Sequence, residues 1–298
     1  MDRIKTYDSM GEFAGESGIE LLHPLIHIVD MARSKSAELE GAYCFNYYNI
    51  SLKDAHNRNV KYGRNYYDYQ DGTLVFMAPM QVIDVENCNL NALKGWGLAF
   101  HPDLLRGTPL GRNLKKYTFF SYAVNEALHV SEHERDIVLE CFRGIEDELR
   151  RSMDNNSRDI IVSRLELFLN YCKRFYERQF ITRSHVASDT LARFEQLLDD
   201  YFSSVHPEQP GLPTVKYFAD RMHFSANYLS DLLRKDTGKS AIEHIQLRLV
   251  EAAKEKLFDR NRSVSEIAYE LGFEYPHYFS RMFKRYVGAT PNEYRIVN

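Results

Sequence analysis

The sequence predicts an α+β multidomain chain: a β-rich N-terminal domain, a two-helix hairpin, and a C-terminal all-α domain holding two helix-turn-helix units. Three observations carry this. Residues 1 to about 127 hold short apolar and aromatic runs broken by Gly, Asn, Asp and Pro, the pattern of strands and turns. At Ser131 the apolar spacing lengthens to the three- and four-residue steps of a helix. Residues 214–238 then recur about 49 residues later, which marks a duplicated unit.

The bulk properties fit that division. A chain of 298 residues is long enough for two domains with separate cores. No apolar run approaches the roughly 18 residues of a membrane span. The N-terminal MDRIKTYDSMGEF lacks the basic-then-apolar order of a secretion signal, so the expected location is cytoplasmic, with no membrane partner. Cys44, Cys88, Cys141 and Cys172 form no C-x-x-C pair and no metal-ligand spacing with His, and they read as reduced core thiols. The net charge of −4 divides unevenly: residues 212–298 carry 14 Lys/Arg against 11 Asp/Glu, leaving −7 on the first 211 residues. Weak overall acidity therefore does not exclude nucleic acid.

In the first domain, strands are expected at Ala42–Ile50, at Thr73–Met77 after the turn Asp71-Gly72, at Gln81–Val85 and at Gly95–Phe100. Ser131-Glu132-His133-Glu134 is a capping-box pattern opening a helix whose one face carries Ile137, Val138, Cys141, Ile145 and Leu149. The polar Asp154-Asn155-Asn156-Ser157 interrupts it, and Ile161, Leu165, Phe168, Leu169, Cys172 and Phe175 mark a second helix. So short a link predicts an antiparallel hairpin over about 131–178. Its apolar stripes either pack on the β domain alone or also serve a partner subunit, making a homodimer. Residues 1–182 form this first domain, and the polar stretch 183–190 is the expected linker.

The remaining residues, 191–298, hold the repeat. Thr214, Val215, Ala219, Met222 and Phe224 align with Ser263, Val264, Ala268, Leu271 and Phe273. After one extra residue in the second copy, Tyr228, Leu229, Ser230, Leu233 and Gly238 align with Tyr278, Phe279, Ser280, Phe283 and Gly288. Each copy, 214–238 and 263–288, reads as helix, tight turn, helix. Ser263-Val264-Ser265-Glu266 is a capping box, Gly272 permits a left-handed turn, and Ala219 and Ala268 allow two helices to cross closely. Burying Phe279 and Phe283 exposes the face with His277, Arg281, Lys284 and Arg285. In a helix-turn-helix the second helix enters the major groove and its N-terminal residues reach base edges. Lys284, Arg285, Arg234 and Lys235 lie further along those helices, where phosphate contact is expected, and Thr214 and Ser263 sit at helix starts whose backbone N–H groups suit phosphate. A linker helix over 240–258, opened by Ser240-Ala241-Ile242-Glu243, gives about 27 Å of rise, enough with its neighbours to place the two recognition helices about 34 Å apart, one turn of B-DNA.

Those residues carry a family likeness. Ala219, Ser225, Leu229, Thr237-Gly238, the helix Ile245 to Leu257, Ile267-Ala268, Leu271-Gly272-Phe273, Phe279-Ser280-Arg281, Phe283-Lys284 and Thr290-Pro291-Asn292-Glu293-Tyr294-Arg295 are similar to the DNA-binding domain of the AraC/XylS family of bacterial transcription regulators. The resemblance implies that the first recognition helix reads double-stranded promoter DNA through Ala226, Asn227, Ser230 and Asp231, and the second through Pro276, His277 and Arg281. Family members commonly carry Arg where this sequence has Asp231, and Phe where it has Leu233. Asp cannot pair with guanine acceptors or phosphate, though it accepts from a cytosine amino group.

The resemblance also implies a cupin-like N-terminal β-barrel that binds a small-molecule effector, followed by two dimerising helices, in an activator working with RNA polymerase. Asp71 to Pro79 is similar to the Gly-to-Pro strand segment of such barrels. Metal-dependent cupins need a His-x-His pair and further ligands; here His56 stands alone and Gln81-Val82-Ile83 follows Pro79, so no metal and no cofactor is expected. His23/His27 and His129/His133 stand four apart and read as surface or core histidines. Tyr43, Phe45 and Tyr47 alternate on one strand face, either as core or as a stacking surface, and Tyr43, Tyr47 and His56 are the pocket candidates. No catalytic triad, phosphate loop or dinucleotide fingerprint is present. A fused alkyl-transfer repair enzyme would need a reactive cysteine cluster near the N-terminus, where Cys44 is isolated. The chain therefore reads as a regulator without enzymatic activity.

Overall fold

A computed structural model of the chain describes residues 4–17, 19–31, 39–53, 60–62, 65–66, 72–88, 95–123, 126–182, 184–203 and 211–297. The chain divides into two compact units, Met1–Gln179 and Phe180–Asn298.

The first unit contains strands β1 (Lys5–Tyr7), β2 (Ile26–Asp30), β3 (Leu39–Phe45), β4 (Tyr48–Lys53), β5 (Val60–Tyr62), β6 (Asn65–Tyr66), β7 (Thr73–Met77), β8 (Val82–Cys88), β9 (Gly95–Phe100) and β10 (Leu128–His129). They form two five-stranded sheets, ordered β1-β3-β8-β5-β6 and β10-β7-β4-β9-β2. Helices α1 (Met10–Ser17) and α2 (Pro109–Asn113) also belong to this unit. Every residue of β7 is buried, as its continuous apolar run requires. The run Ala42–Ile50, expected as one strand, is two: β3 lies in one sheet and β4 in the other, and the chain changes sheets at Asn46-Tyr47. Tyr47 thus sits in the connecting bend rather than on a strand. Its ring still meets Phe45, centroids 5.3 Å apart, while Tyr43 stacks on Phe45 at 6.5 Å.

Helix α3 (Glu132–Leu149) opens on the expected capping box: Ser131 N–H donates to Glu134 Oε2 at 2.9 Å, and Glu134 N–H to Ser131 Oγ at 3.3 Å. Before α4 (Ser157–Thr182), Asp154 Oδ1 accepts from the N–H groups of Asn156 and Ser157 at 2.7 and 3.0 Å. Glu134 pairs with Arg178, Phe142 packs on Phe168, and Gly144 lies beside Arg164, so the helices run antiparallel. The apolar stripe of α3 is consumed within this unit, with Val138 and Ile145 wholly buried. Helix α4 buries Ile161, Leu165, Phe168, Leu169 and Cys172 completely but leaves Ile160 and Leu167 39% and 51% exposed.

The second unit is helical: α5 (Ser184–Ser203), α6 (Val215–Met222), α7 (Ala226–Thr237), α8 (Ala241–Leu257), α9 (Val264–Glu270), α10 (Pro276–Val287) and α11 (Pro291–Val297). Residues 184–190, expected as linker, form the first turns of α5. Polar composition there did not prevent helix formation, since it contains neither Pro nor Gly.

Candidate nucleic-acid interface and ligand cavity

Both helix-turn-helix units close their turns with the same hydrogen bond: Phe224 N–H reaches Ala219 O, and Phe273 N–H reaches Ala268 O, each at 2.9 Å. This is the helix-ending pattern that requires a left-handed residue just before the donor. Gly272 supplies it at φ 92° in the second unit, and a Cβ there would lie 2.5 Å from Gly211 O. The first unit uses His223 at φ 61°. The extra residue of the second copy is Glu274, lying between Phe273 and the N-cap Tyr275. Ala219 and Ala268 are buried where α6 meets α7 and α9 meets α10.

The recognition helices differ at their starts. Helix α7 is capped by Ser225, whose Oγ accepts from Tyr228 N–H at 3.2 Å. Helix α10 begins with Tyr275 and Pro276, without a side-chain cap. Both end on left-handed glycines, Gly238 and Gly288.

Each unit has its own core, and α8 serves both. Ala241 and Ile245 join Phe194, Phe218, Met222 and Leu229 in the first core. Leu249, Val250, Ala252, Ala253 and Leu257 join Ile267, Leu271, Phe279 and Phe283 in the second. Lys256 and Arg262 both pair with Glu270, the former at 2.7 Å, tying α8 to α9.

On α10, His277, Arg281, Lys284 and Arg285 are all exposed and Pro276 is half-buried. On α7, Asn227, Arg234 and Lys235 are exposed, while Ala226, Ser230 and Asp231 are half-buried. Asp231 aligns with Arg281 and pairs with Arg234 at 3.3 Å. The hydroxyls of Thr214 and Ser263 cap their own helices, accepting from Tyr217 N–H at 3.2 Å and Glu266 N–H at 3.1 Å. These two hydroxyls are thus engaged at their own helix starts. A second asymmetry was not foreseen: Tyr278 is 52% exposed, but its counterpart Tyr228 is 4% exposed, packed between Phe180 and Phe224.

In the first unit, a cavity of about 160 Å³ lies against the inner face of β2, β9 and β4. Tyr47 lines it; Tyr43 is buried in the adjoining core without lining it, and His56 falls outside the described residues. Sequence reasoning missed His27, which lines the cavity with both ring nitrogens buried and without a hydrogen-bond partner among the described residues. The available signal was the small Ala99 on the strand face that lines the cavity, directly across from His27 in register. Among the described residues no group of three His, Cys, Asp or Glu is placed to hold a metal. Cys44 and Cys172 are buried, and burial pushes the Cys141 thiol up to about 11, so that thiol is protonated near neutral pH.

Two exposed second helices held by one shared helix define a double helix-turn-helix DNA-binding domain. Residues 218–296 match the family described as a helix-turn-helix domain, and 85 residues are 31% identical to the multiple antibiotic resistance protein MarA of Salmonella typhimurium, covering 28% of this chain and 67% of MarA. Through this domain the chain belongs to the AraC family of helix-turn-helix regulators. It is also 41% identical over 78 residues to the uncharacterized transcriptional regulatory protein YesN of Bacillus subtilis, covering 26% of this chain and 21% of YesN. The chain thus spans about a fifth of the length of that relative. The solved C-terminal domain of AraT, a response regulator from Geobacillus stearothermophilus, is 29% identical with a TM-score of 0.32, covering 37% of this chain and 85% of that domain. No helix among the described residues is long and apolar enough to cross a membrane.

Proposed function

We propose that the chain is a ligand-responsive, homodimeric transcription activator, each subunit of which reads two successive major grooves of promoter DNA. The observation that carries this is the sharing of α8 by both cores, which fixes α7 and α10 in one rigid domain. Its 17 residues rise about 26 Å, close to a helical turn of B-DNA once the flanking helices are counted. Helix α10 reads bases through Pro276, His277 and Arg281, and α7 through Ala226, Asn227, Ser230 and Asp231. Lys284, Arg285, Arg234, Lys235 and the helix starts at Thr214 and Ser263 hold phosphates.

The two sheets act as a cupin-like effector module around the cavity, and the outer face of α4, with Ile160 and Leu167 one heptad apart, is the dimer contact. Activation implies contact with RNA polymerase, and the protein acts in the cytoplasm. No catalytic role is proposed. The test is a genome-wide binding map followed by hydroxyl-radical footprinting of the full chain on the best site. Two protected major-groove segments about one turn apart are expected per subunit, and protection confined to one groove would overturn the two-groove reading. A monomeric mass by light scattering at micromolar concentration would remove the dimer.

A further inference from the structure

From the walls of the cavity we infer that it binds an uncharged single-ring aromatic molecule carrying a hydroxyl group, with His27 as its hydrogen-bond partner. This rests on the ligand-responsive reading of the first unit and names the ligand class.

Size comes first. At about 160 Å³ the cavity is close to the roughly 150 Å³ of an engineered apolar cavity that accepts benzene. Its floor is set by strand register: His27, Ala99 and Asn49 lie in one row across β2, β9 and β4, and Val29, Gly97 and Ser51 in the next. Toward the cavity the middle strand presents the small side of Gly97 and Ala99; Val29 and Met31 close over Gly97, so the low part of the floor lies at Ala99, between His27 and Asn49. Phe13, Phe45 and Tyr47 face it from the other side, and ring walls favour a ring.

Polarity narrows the class further. Leaving a buried donor or acceptor unpaired is unfavourable, and His27 holds both kinds at Nδ1 and Nε2. Among the described residues no Lys or Arg lines the cavity. Burial lowers the pKa of His27, keeping the imidazole neutral near pH 7, and the opposing influence is Glu146 on α3. Tyr47, the other titratable group on the walls, is held protonated by burial. A carboxylate ligand would find no counter-ion among the described lining residues and would meet the field of Glu146. A hydroxyl suits a neutral imidazole in either tautomer, since it both donates and accepts.

The experiment is isothermal titration of the full chain with p-cresol, toluene and benzoate, together with NMR of the His27 ring. Saturable p-cresol binding with a shift of the His27 resonances is expected, with benzoate weaker. His27→Leu should weaken p-cresol about tenfold and leave toluene unchanged, and Ala99→Leu should abolish both by filling the floor. Where His27→Leu is unstable, the His27 resonances and Ala99→Leu still decide. Absence of saturable p-cresol binding at millimolar concentration, unperturbed His27 resonances, or tighter binding of benzoate would overturn the proposal. A gel shift run with and without p-cresol separates the two readings. Binding that leaves DNA affinity unchanged keeps the ligand class and removes the ligand-responsive reading, whereas intact DNA binding without p-cresol binding removes the ligand class alone.

Discussion

Asp231 and Arg234 form an ion pair at 3.3 Å, one turn apart on α7, at the place where α10 carries Arg281. In the proposed DNA complex the carboxylate would both take a groove-facing position and hold a cation proposed to meet phosphate. Asp231→Ala is expected to raise affinity for non-specific duplex and to steepen the salt dependence by about one released counter-ion. Fluorescence anisotropy across a salt series measures it, and an unchanged slope would show that Arg234 stands clear of the backbone.

Arg281 is exposed on the basic face of α10 and suits a bidentate contact with guanine. Arg281→Ala should cost about 1–3 kcal/mol on the preferred site and little on random duplex, since bidentate base contacts supply discrimination. Lys284→Ala should weaken both alike, because a phosphate contact carries no sequence information. Competitive gel shifts with specific and random DNA distinguish the two patterns. Equal losses for Arg281→Ala on both DNAs would reassign that residue to the backbone.

The two turns respond in opposite directions to substitution. Gly272→Ala places a Cβ 2.5 Å from a backbone oxygen at φ 92°, and a loss of about 1–3 kcal/mol in urea unfolding is expected. His223→Gly relieves a left-handed side chain but loosens the unfolded chain, so a gain of no more than about 1 kcal/mol is expected.

Acid should unfold the C-terminal unit through its helix caps. Glu243, Glu266 and Glu293 accept hydrogen bonds from Ser240, Ser263 and Thr290, which hold their carboxyl pKa values below the ordinary 4.5. A depressed folded-state pKa means that the unfolded state binds protons first, so this stability is present above about 4.5 and lost as pH falls through the folded values. The His244 imidazole, its pKa lowered chiefly by burial, adds a loss of the same sign beginning as pH falls below the ordinary histidine value of 6.5. Thermal melts from pH 7 to 3 should show both phases, and Glu243→Gln with Glu266→Gln should flatten the lower one.

The helical half was legible because its signals are local. Capping boxes at Ser131, Ser240 and Ser263, the apolar spacing around Phe279 and Phe283, and the glycine at 272 each act within a turn or two, and each appears where the residues place it. What escaped depends on distant partners. Tyr228 and Tyr278 are equivalent in the repeat, but Tyr228 packs on Phe180, far back in the chain, as well as on Phe224. His27 reads as an ordinary strand residue until Ala99 and Asn49 are set beside it by register. The change of sheets at Asn46-Tyr47 lies inside an unbroken aromatic run, without the Gly or Pro that would mark it.

Because the residues of α8 belong to both cores, neither helix-turn-helix unit can melt or swing alone without stripping apolar surface from the other. The domain behaves as a gauge of fixed pitch. On the proposed two-groove reading, the phase between the two stretches of DNA is written in the number of residues from Ala241 to Leu257, and a promoter that gains or loses half a helical turn between them would present one stretch on the far side of the duplex.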